Sequence, residues 1–222
     1  MARILITGSA RGIGLELVRS YLAVGDEVIA VCREPGAALS QLPCERIDGV
    51  ELGDGGGIDR VREAVGDRPL DILIHCAGIL RRDALGQLRE QIEHLRAQFE
   101  VNALAPLLLT EALLPVLQAG SKVALITSRM GSIADNSSGG YYGYRMSKAA
   151  LNSAGKSLAI NCREQGIAVA LLHPGFVRTQ MTGGAGDIDP ATAAAQLIER
   201  IQALSLESSG SFWHANGNEL PW

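Results

Sequence analysis

The chain has 222 residues, 47% of them hydrophobic and 20% charged, and a net charge of −4 at pH 7. That length fits one domain with a sizeable core, and an acidic balance without any basic run argues against nucleic acid as a partner. No apolar stretch is expected to reach the ~18 uncharged residues of a membrane helix, and Met1-Ala2-Arg3 runs straight into a strand, leaving no room for a signal peptide.

Strand-length apolar runs alternate with longer periodic segments. Arg3–Thr7 reads as a strand and Ile13–Val24 as a helix. Glu27–Cys32 is a second strand and Arg46–Leu52 a weaker third. Gly53–Gly57 is a glycine-rich surface turn, Asp59–Val65 is helical in pattern, and Asp71–His75 is a fourth strand. Gln91–Ala119 carries a long helical pattern that Pro106 and Pro115 must bend, break or restart. Lys122–Thr127 is a fifth strand, Tyr144–Gln165 a long helix and Ile167–Leu172 a sixth strand. Asp189 followed by Pro190 reads as an N-cap and first helical residue for Ala191–Leu204. Ser211–Ala215 closes the series as a short strand. Continuous apolar strands separated by helices imply an α/β fold, a single domain whose parallel sheet of about seven strands is covered on both faces. Cys32, Cys44, Cys76 and Cys162 are scattered without a C-x-x-C, the pattern of reduced thiols in a cytoplasmic protein, and no metal ligand set is expected.

The first strand runs into Thr7-Gly8-Ser9-Ala10-Arg11-Gly12-Ile13-Gly14, and a helix opens inside that loop. Glycines here allow a tight turn and close approach to a pyrophosphate, and the helix N-terminus offers free N–H groups to the anion. The spacing is neither G-x-G-x-x-G nor a P-loop. Further on, Tyr144 and Lys148 stand four residues apart, so phenol and ammonium share one helix face. A phenol titrates near ~10, and a neighbouring cation is expected to draw it down into the range of a general acid or base.

The glycine loop together with Tyr144–Lys148 resembles the short-chain dehydrogenase/reductase family. Matching segments follow in order along essentially the whole chain: Cys76-Ala77-Gly78, Asn102, Ser128, and Pro174-Gly175. The ending, Phe212, Gly217 and Pro221-Trp222, is similar to the C-factor-like branch of small carbonyl reductases. The resemblance implies a Rossmann-type doubly wound sheet and a nicotinamide cofactor. It implies cofactor contacts from Gly8, Ser9, Arg11, Gly12, Ile13, Gly14, Arg33, Glu51, Leu52, Cys76, Ala77, Gly78, Tyr144, Lys148, Pro174, Gly175, Val177 and Thr179. Tyr144 would exchange the proton at the substrate oxygen. Lys148 would hold the nicotinamide ribose and depress the Tyr144 pKa, Ser128 would orient the carbonyl, and Asn102 would hold a water in a relay ending at Lys148. Two departures stand out. His75 and Cys76 occupy positions where family members often carry asparagines, and the Ser128–Tyr144 interval is a little wide. His75 reads as a core histidine rather than a catalytic one. Tyr141 and Tyr142 have no lysine four residues on.

Arg33 follows the second strand, where the adenine ribose would lie, and Arg11 flanks the same place. An arginine there accommodates a 2′-phosphate, so NADP is preferred; Glu34, if turned inward, would restore NAD. The substrate would lie beyond the strand ends, among Ile79–Leu88, Arg129–Gly143 and the glycine-rich Phe176–Asp189, which reads as a mobile lid over a compact carbonyl or alcohol. Arg81, Arg82, Arg129 and Arg178 in these loops read as solvated charges rather than anion ligands. A homodimer or homotetramer is inherited from the resemblance. The leading expectation is an NADP-dependent oxidoreductase interconverting a carbonyl and a secondary alcohol. Its rivals are an NAD-linked alcohol dehydrogenase on the same residues and an NADP-binding signalling protein without turnover.

Overall fold

The computed structural model describes residues 1–222. Its centre is a seven-stranded, wholly parallel sheet: β1 (Arg3–Thr7), β2 (Glu27–Val31), β3 (Glu45–Ile47), β4 (Leu70–His75), β5 (Leu117–Ile126), β6 (Ala168–His173) and β7 (Phe212–His214). They lie in the order β3-β2-β1-β4-β5-β6-β7, so the winding reverses between β1 and β4. Parallel neighbours need crossovers, and the helices of those crossovers cover both faces. Successive side chains alternate between two cores. Leu5, Leu73, Leu125, Val169 and Leu171 meet α3 (Gly55–Val65), α5 (Ala105–Leu113) and α6 (Tyr142–Asn161) on one face. Ile4, Ile6, Ile74, Ala170 and Leu172 meet α1 (Gly12–Ala23), the short α2 (Ala37–Ser40) and α7 (Pro190–Ala203) on the other. The last helix, α4 (Ile92–Phe99), packs against α6.

The expected seven strands are all present, and the differences fall at element ends. The third strand stops at Ile47 because the chain then curls over the end of β2. Gly49 takes φ +70° and donates its N–H to the Arg33 carbonyl, and Val50 donates to Cys32. α3 starts four residues earlier than expected, at Gly55, where the Asp54 carboxylate caps the Gly56 N–H at 3.1 Å. Periodicity did not show α2 at all.

The long middle helix is divided as its prolines require. α4 leads into a π-helical turn over Glu100–Leu104, in which Ala105 donates its N–H to Glu100, five residues back. Pro106 lacks the N–H that an α-helix would direct to the Asn102 carbonyl, so the ladder widens there. After α5 a 3₁₀ turn at Leu114–Val116, holding Pro115, ends the helix. Leu117 already belongs to β5, which corrects a helix expected to reach Ala119. The stretch Ile92–Val116 is, contrary to the sequence expectation, apolar and long enough to cross a membrane. Its most apolar part lies against the sheet, with Leu109 and Leu113 fully buried among residues of α3, α6 and the strands.

β7 closes the sheet with Phe212, which is fully buried and holds its ring 5.6 Å from that of Trp222. Truncating Phe212→Ala should lower unfolding free energy by about 3–5 kcal/mol through lost burial and the cavity left behind. The check is the urea midpoint at unchanged m-value. A loss below ~1 kcal/mol would show that the β7 edge is not integral to the core.

Candidate active site

At the carboxyl ends of the strands, over the reversal between β1 and β4, lies a cleft of about 1030 Å³. This is where open α/β sheets bind ligands. Gly8, Arg11, Gly12, Ile13 and Gly14 form one wall, Arg33, Glu51 and Leu52 the far end, and Cys76, Ala77 and Gly78 the floor. Thr179, from the loop after β6, covers it.

The cleft exists because the chain has no side chains where it must be narrow. Gly8 takes φ +69°, and a Cβ there would stand 2.7 Å from the Ala77 backbone. Gly14 lies so close under the Gly8 carbonyl that any Cβ would overlap it. The two loops at the ends of β1 and β4 can therefore touch. Thr7 ties them, its Oγ1 accepting from the N–H groups of both Cys76 and Ala77 at 3.1 Å. No side chain caps α1, so its first N–H groups face the cleft as an anion site. The volume, the side-chain-free cradle and the uncapped helix end together fit a dinucleotide. Ser9 is placed differently from the rest of its loop. It is fully buried, and its hydroxyl donates to the Val31 carbonyl at 3.0 Å, fastening the loop to β2.

At the far end Arg33 and Glu51 approach to 3.7 Å, both more than half exposed. Such a pair is weakly held and competes poorly with a ligand phosphate. Arg11 is exposed on the same cleft, and Glu34 also lines it.

The cleft floor leads to the predicted reactive residues. A Cβ on Gly78 would lie 3.3 Å from Asn102 Oδ1 and 3.8 Å from Lys148 Nζ, so this backbone runs between the two side chains. Lys148 is buried, and its ammonium donates to the Ile126 carbonyl at the end of β5, at 2.8 Å. Two N–H groups of that ammonium remain for a ligand. Burial pulls Lys148 down to about 8. Its Nζ stands 5.9 Å from the Tyr144 ring centroid. Ser128 caps the 3₁₀ turn Arg129–Gly131, its Oγ accepting the Met130 N–H at 3.1 Å.

The expected depression of Tyr144 by Lys148 is not what the geometry produces. Burial dominates and pushes the phenol up to about 12, and the neighbouring Ser128 hydroxyl works weakly in the other direction. The ammonium is aimed at the Ile126 carbonyl rather than at the phenol oxygen.

Asn102 sits in the π-helical turn and is fully buried. Its Oδ1 accepts from Ile79 N–H at 2.8 Å, and its Nδ2 donates to the Ile79 carbonyl at 2.9 Å and to Ser147 Oγ at 3.0 Å. One lone pair of Oδ1 is left for the relay water that the resemblance assigns. Ser147 donates in turn to the Tyr144 carbonyl. Sequence reasoning passed over Ser147, although it stands between Tyr144 and Lys148 and three residues is a helical neighbour.

Other predicted residues are engaged by the protein itself or are made unreactive by burial. His75 is buried, bonds Thr110 Oγ1 at 2.8 Å and is pulled down to about 3, a neutral core histidine. Because Thr110 donates to Pro106, the histidine Nε2 carries the proton. Cys76 lines the cleft, and burial pushes its thiol up to about 12, which leaves it unreactive. Arg129 pairs with Asp135, and Arg178 donates to the Gly186 and Asp187 carbonyls, so both are consumed by their own loops. Pro174 and Gly175 lead from β6 into the covering loop, where buried Val177 pairs with Ile188. The segment read as a mobile lid is stitched at its base: Arg178 donates to Ile188 at 2.9 Å and Asp187 to Phe176 at 2.7 Å. The tip is tied back as well, Gly184 donating to the Thr179 carbonyl at 2.8 Å and Thr182 Oγ1 to the Val177 carbonyl at 2.9 Å. Tyr141 adopts φ +51°, strained for a tyrosine, at the entry to α6.

The family model for short chain dehydrogenases matches residues 2–188. The chain is 37% identical to the 1-hydroxy-2-glutathionyl-2-methyl-3-butene dehydrogenase of Rhodococcus sp. strain AD45, with all of both chains covered. It is 42% identical to the C-signal of Myxococcus xanthus over 69% of this chain and 93% of that protein. The NADPH-bound carbonyl reductase from chicken fatty liver superposes with a TM-score of 0.90 at 30% identity, covering 100% of this chain and 99% of that one. With a seven-stranded doubly wound sheet, a glycine cradle at its switch point and these relatives, the chain belongs to the short-chain dehydrogenase/reductase family and is an oxidoreductase.

Proposed function

We propose that this protein reduces the carbonyl group of a small molecule to a secondary alcohol, with NADPH as electron donor and Tyr144 as proton donor. The observation that carries this reading is that Ser128, Tyr144 and Lys148 are buried together just beyond the floor of the dinucleotide-sized cleft, where Gly78 runs past Lys148. A nicotinamide held in the cleft would supply the hydride. Charge then develops on the carbonyl oxygen, and the protein answers it with donors that are already in place. The Ser128 hydroxyl, held by the turn it caps, orients that oxygen. Tyr144 delivers its proton to it. Lys148, anchored on Ile126, adds positive charge and keeps two N–H groups for the ribose.

A phenol pushed up to about 12 stays protonated at neutral pH, the form that can donate to a carbonyl oxygen. The Rhodococcus relative is named for a hydroxy compound, and the same residues run either way as the cofactor ratio dictates. Support for NADP comes from Arg33 and Arg11 on the cleft and from the NADPH carried by the chicken reductase. Exposed Leu104, Leu108 and Ile160 on the middle helix and α6 suit a homo-oligomer. The relative named C-signal favours a second reading, NADP binding in signalling without turnover.

A panel of small ketones and α-diketones, followed by NADPH absorbance, separates the two. Tyr144→Phe should lower kcat roughly a hundredfold or more, the worth of a positioned general acid. A variant as fast as the wild type would remove Tyr144 from the reaction. Arg33→Ala should raise KM for NADPH about tenfold and leave NADH unchanged, as loss of a charge-assisted phosphate contact requires. Equal kcat/KM for the two nucleotides in the wild type would end the NADP assignment. Lys148 is lowered to about 8 and is charged only below that value. Reduction should therefore be level around neutral pH and fall as pH rises through about 8, with Tyr144 still protonated. A rate undiminished at pH ~10 would show that the ammonium is not required.

A further inference from the structure

The helix carrying Tyr144 and Lys148 has no cap of its own. Its N-cap position is Tyr141, in a left-handed conformation with no side-chain hydrogen bond to the helix. The carboxylate of Asp83, far away in sequence in the loop after β4, fills that place. Its Oδ1 accepts the Tyr142 N–H at 2.7 Å, and its Oδ2 accepts the Gly143 N–H at 2.9 Å. Both oxygens are thus committed to the first turn of α6, one and two residues before the phenol. The packing around this contact is closed. A Cβ on Gly143 would meet Asp83 Oδ2 and the Leu95 backbone at 3.1 Å and would overlap Gln98.

Asp83 is itself held. Two residues earlier, the Arg81 N–H donates to the buried Gln98 Oε1 at 2.9 Å. Two residues before that, Ile79 exchanges both backbone bonds with Asn102. Ile79–Asp83 is therefore a short rigid strut. Its base is at Asn102, beside Lys148 and the cleft floor. Its tip grips the start of the Tyr144 helix.

We propose that Asp83 is a positioning residue for Tyr144: it fixes the first turn of α6 so that the phenol stays sequestered and aligned with Ser128. The inference rests on the reading of Tyr144 as proton donor. The strut also makes the Ile79–Leu88 loop, on the substrate side, a part of the proton-donating device rather than a passive wall.

Asp83→Ala removes both acceptors, and Asp83→Asn removes the charge while keeping one carbonyl acceptor. Each is compared with Tyr144→Phe and with the double variants, using the panel carbonyl that the wild type reduces fastest. Asp83→Ala should lower kcat at least roughly tenfold, as misplacement of a catalytic group does, with Asp83→Asn in between. KM for NADPH should stay within about twofold, because Asp83 itself does not line the cleft. In the Tyr144→Phe background Asp83→Ala should cost nothing further. A readout that needs no turnover is the tyrosinate difference absorbance, each variant minus its Tyr144→Phe counterpart. It should show Tyr144 titrating lower than in the wild type once the first turn of α6 loosens and water reaches the ring, because burial is what raises it. If Asp83→Ala does not fold, Asp83→Asn carries the same tests. Wild-type kcat and Tyr144 titration in a variant that is merely less heat-stable would reduce Asp83 to a helix cap and overturn the proposal. Full activity in Tyr144→Phe would overturn the functional reading instead, whatever Asp83 does.

Discussion

The fully buried side chain of Asn102 holds together the parts from which the site is assembled. It joins the loop after β4, the π-helical turn of the middle helix and the second turn of α6 through three hydrogen bonds. An amide without these partners would be costly at zero exposure, so the three elements are coupled by the need to satisfy it. The π turn aims the side chain there. Pro106 denies the Asn102 carbonyl its α-helical donor, and the ladder gives way by one residue at that point. One proline thus shapes a helix, the helix orients an amide, and the amide sets the distance between the cleft floor and Lys148.

Around that clamp the protein uses the backbone as much as the side chains. Thr7 and Gly8 bring the ends of β1 and β4 into contact, Ser9 fastens the glycine loop to β2, and Ile126 offers its carbonyl to Lys148. The carbonyl at the end of β5 is available because β5 stops where Ser128 caps the following turn. Site and fold therefore meet at strand ends, where unpaired backbone groups can be turned toward ligand and side chain alike.

Much of this was legible in the chain. Continuous apolar runs announced buried parallel strands, and Asp189-Pro190 announced α7, whose Asp189 carboxylate accepts the Thr192 N–H at 2.8 Å. The glycine loop lies on the cleft as its position between first strand and first helix required. What was not legible depends on long-range contact. β5 begins at Leu117 because Leu70 pairs with it across the sheet, against a local helical pattern. Ser9 shares a loop with Gly8 and Gly12 but turns inward to Val31, and no local rule separates the two fates. Asp83 carries no motif, and its partners lie on another element.

By itself the sequence determined the order of elements, the glycine cradle and the spacing that puts Tyr144 and Lys148 on one face, because these follow from periodicity and backbone freedom within a few residues. Only the tertiary structure decided how those groups behave. Burial raises the phenol that a neighbouring ammonium was expected to lower, and the ammonium is turned to a carbonyl at the end of β5. Desolvation and hydrogen-bond direction are properties of the packed interior, and no spacing along the chain encodes them.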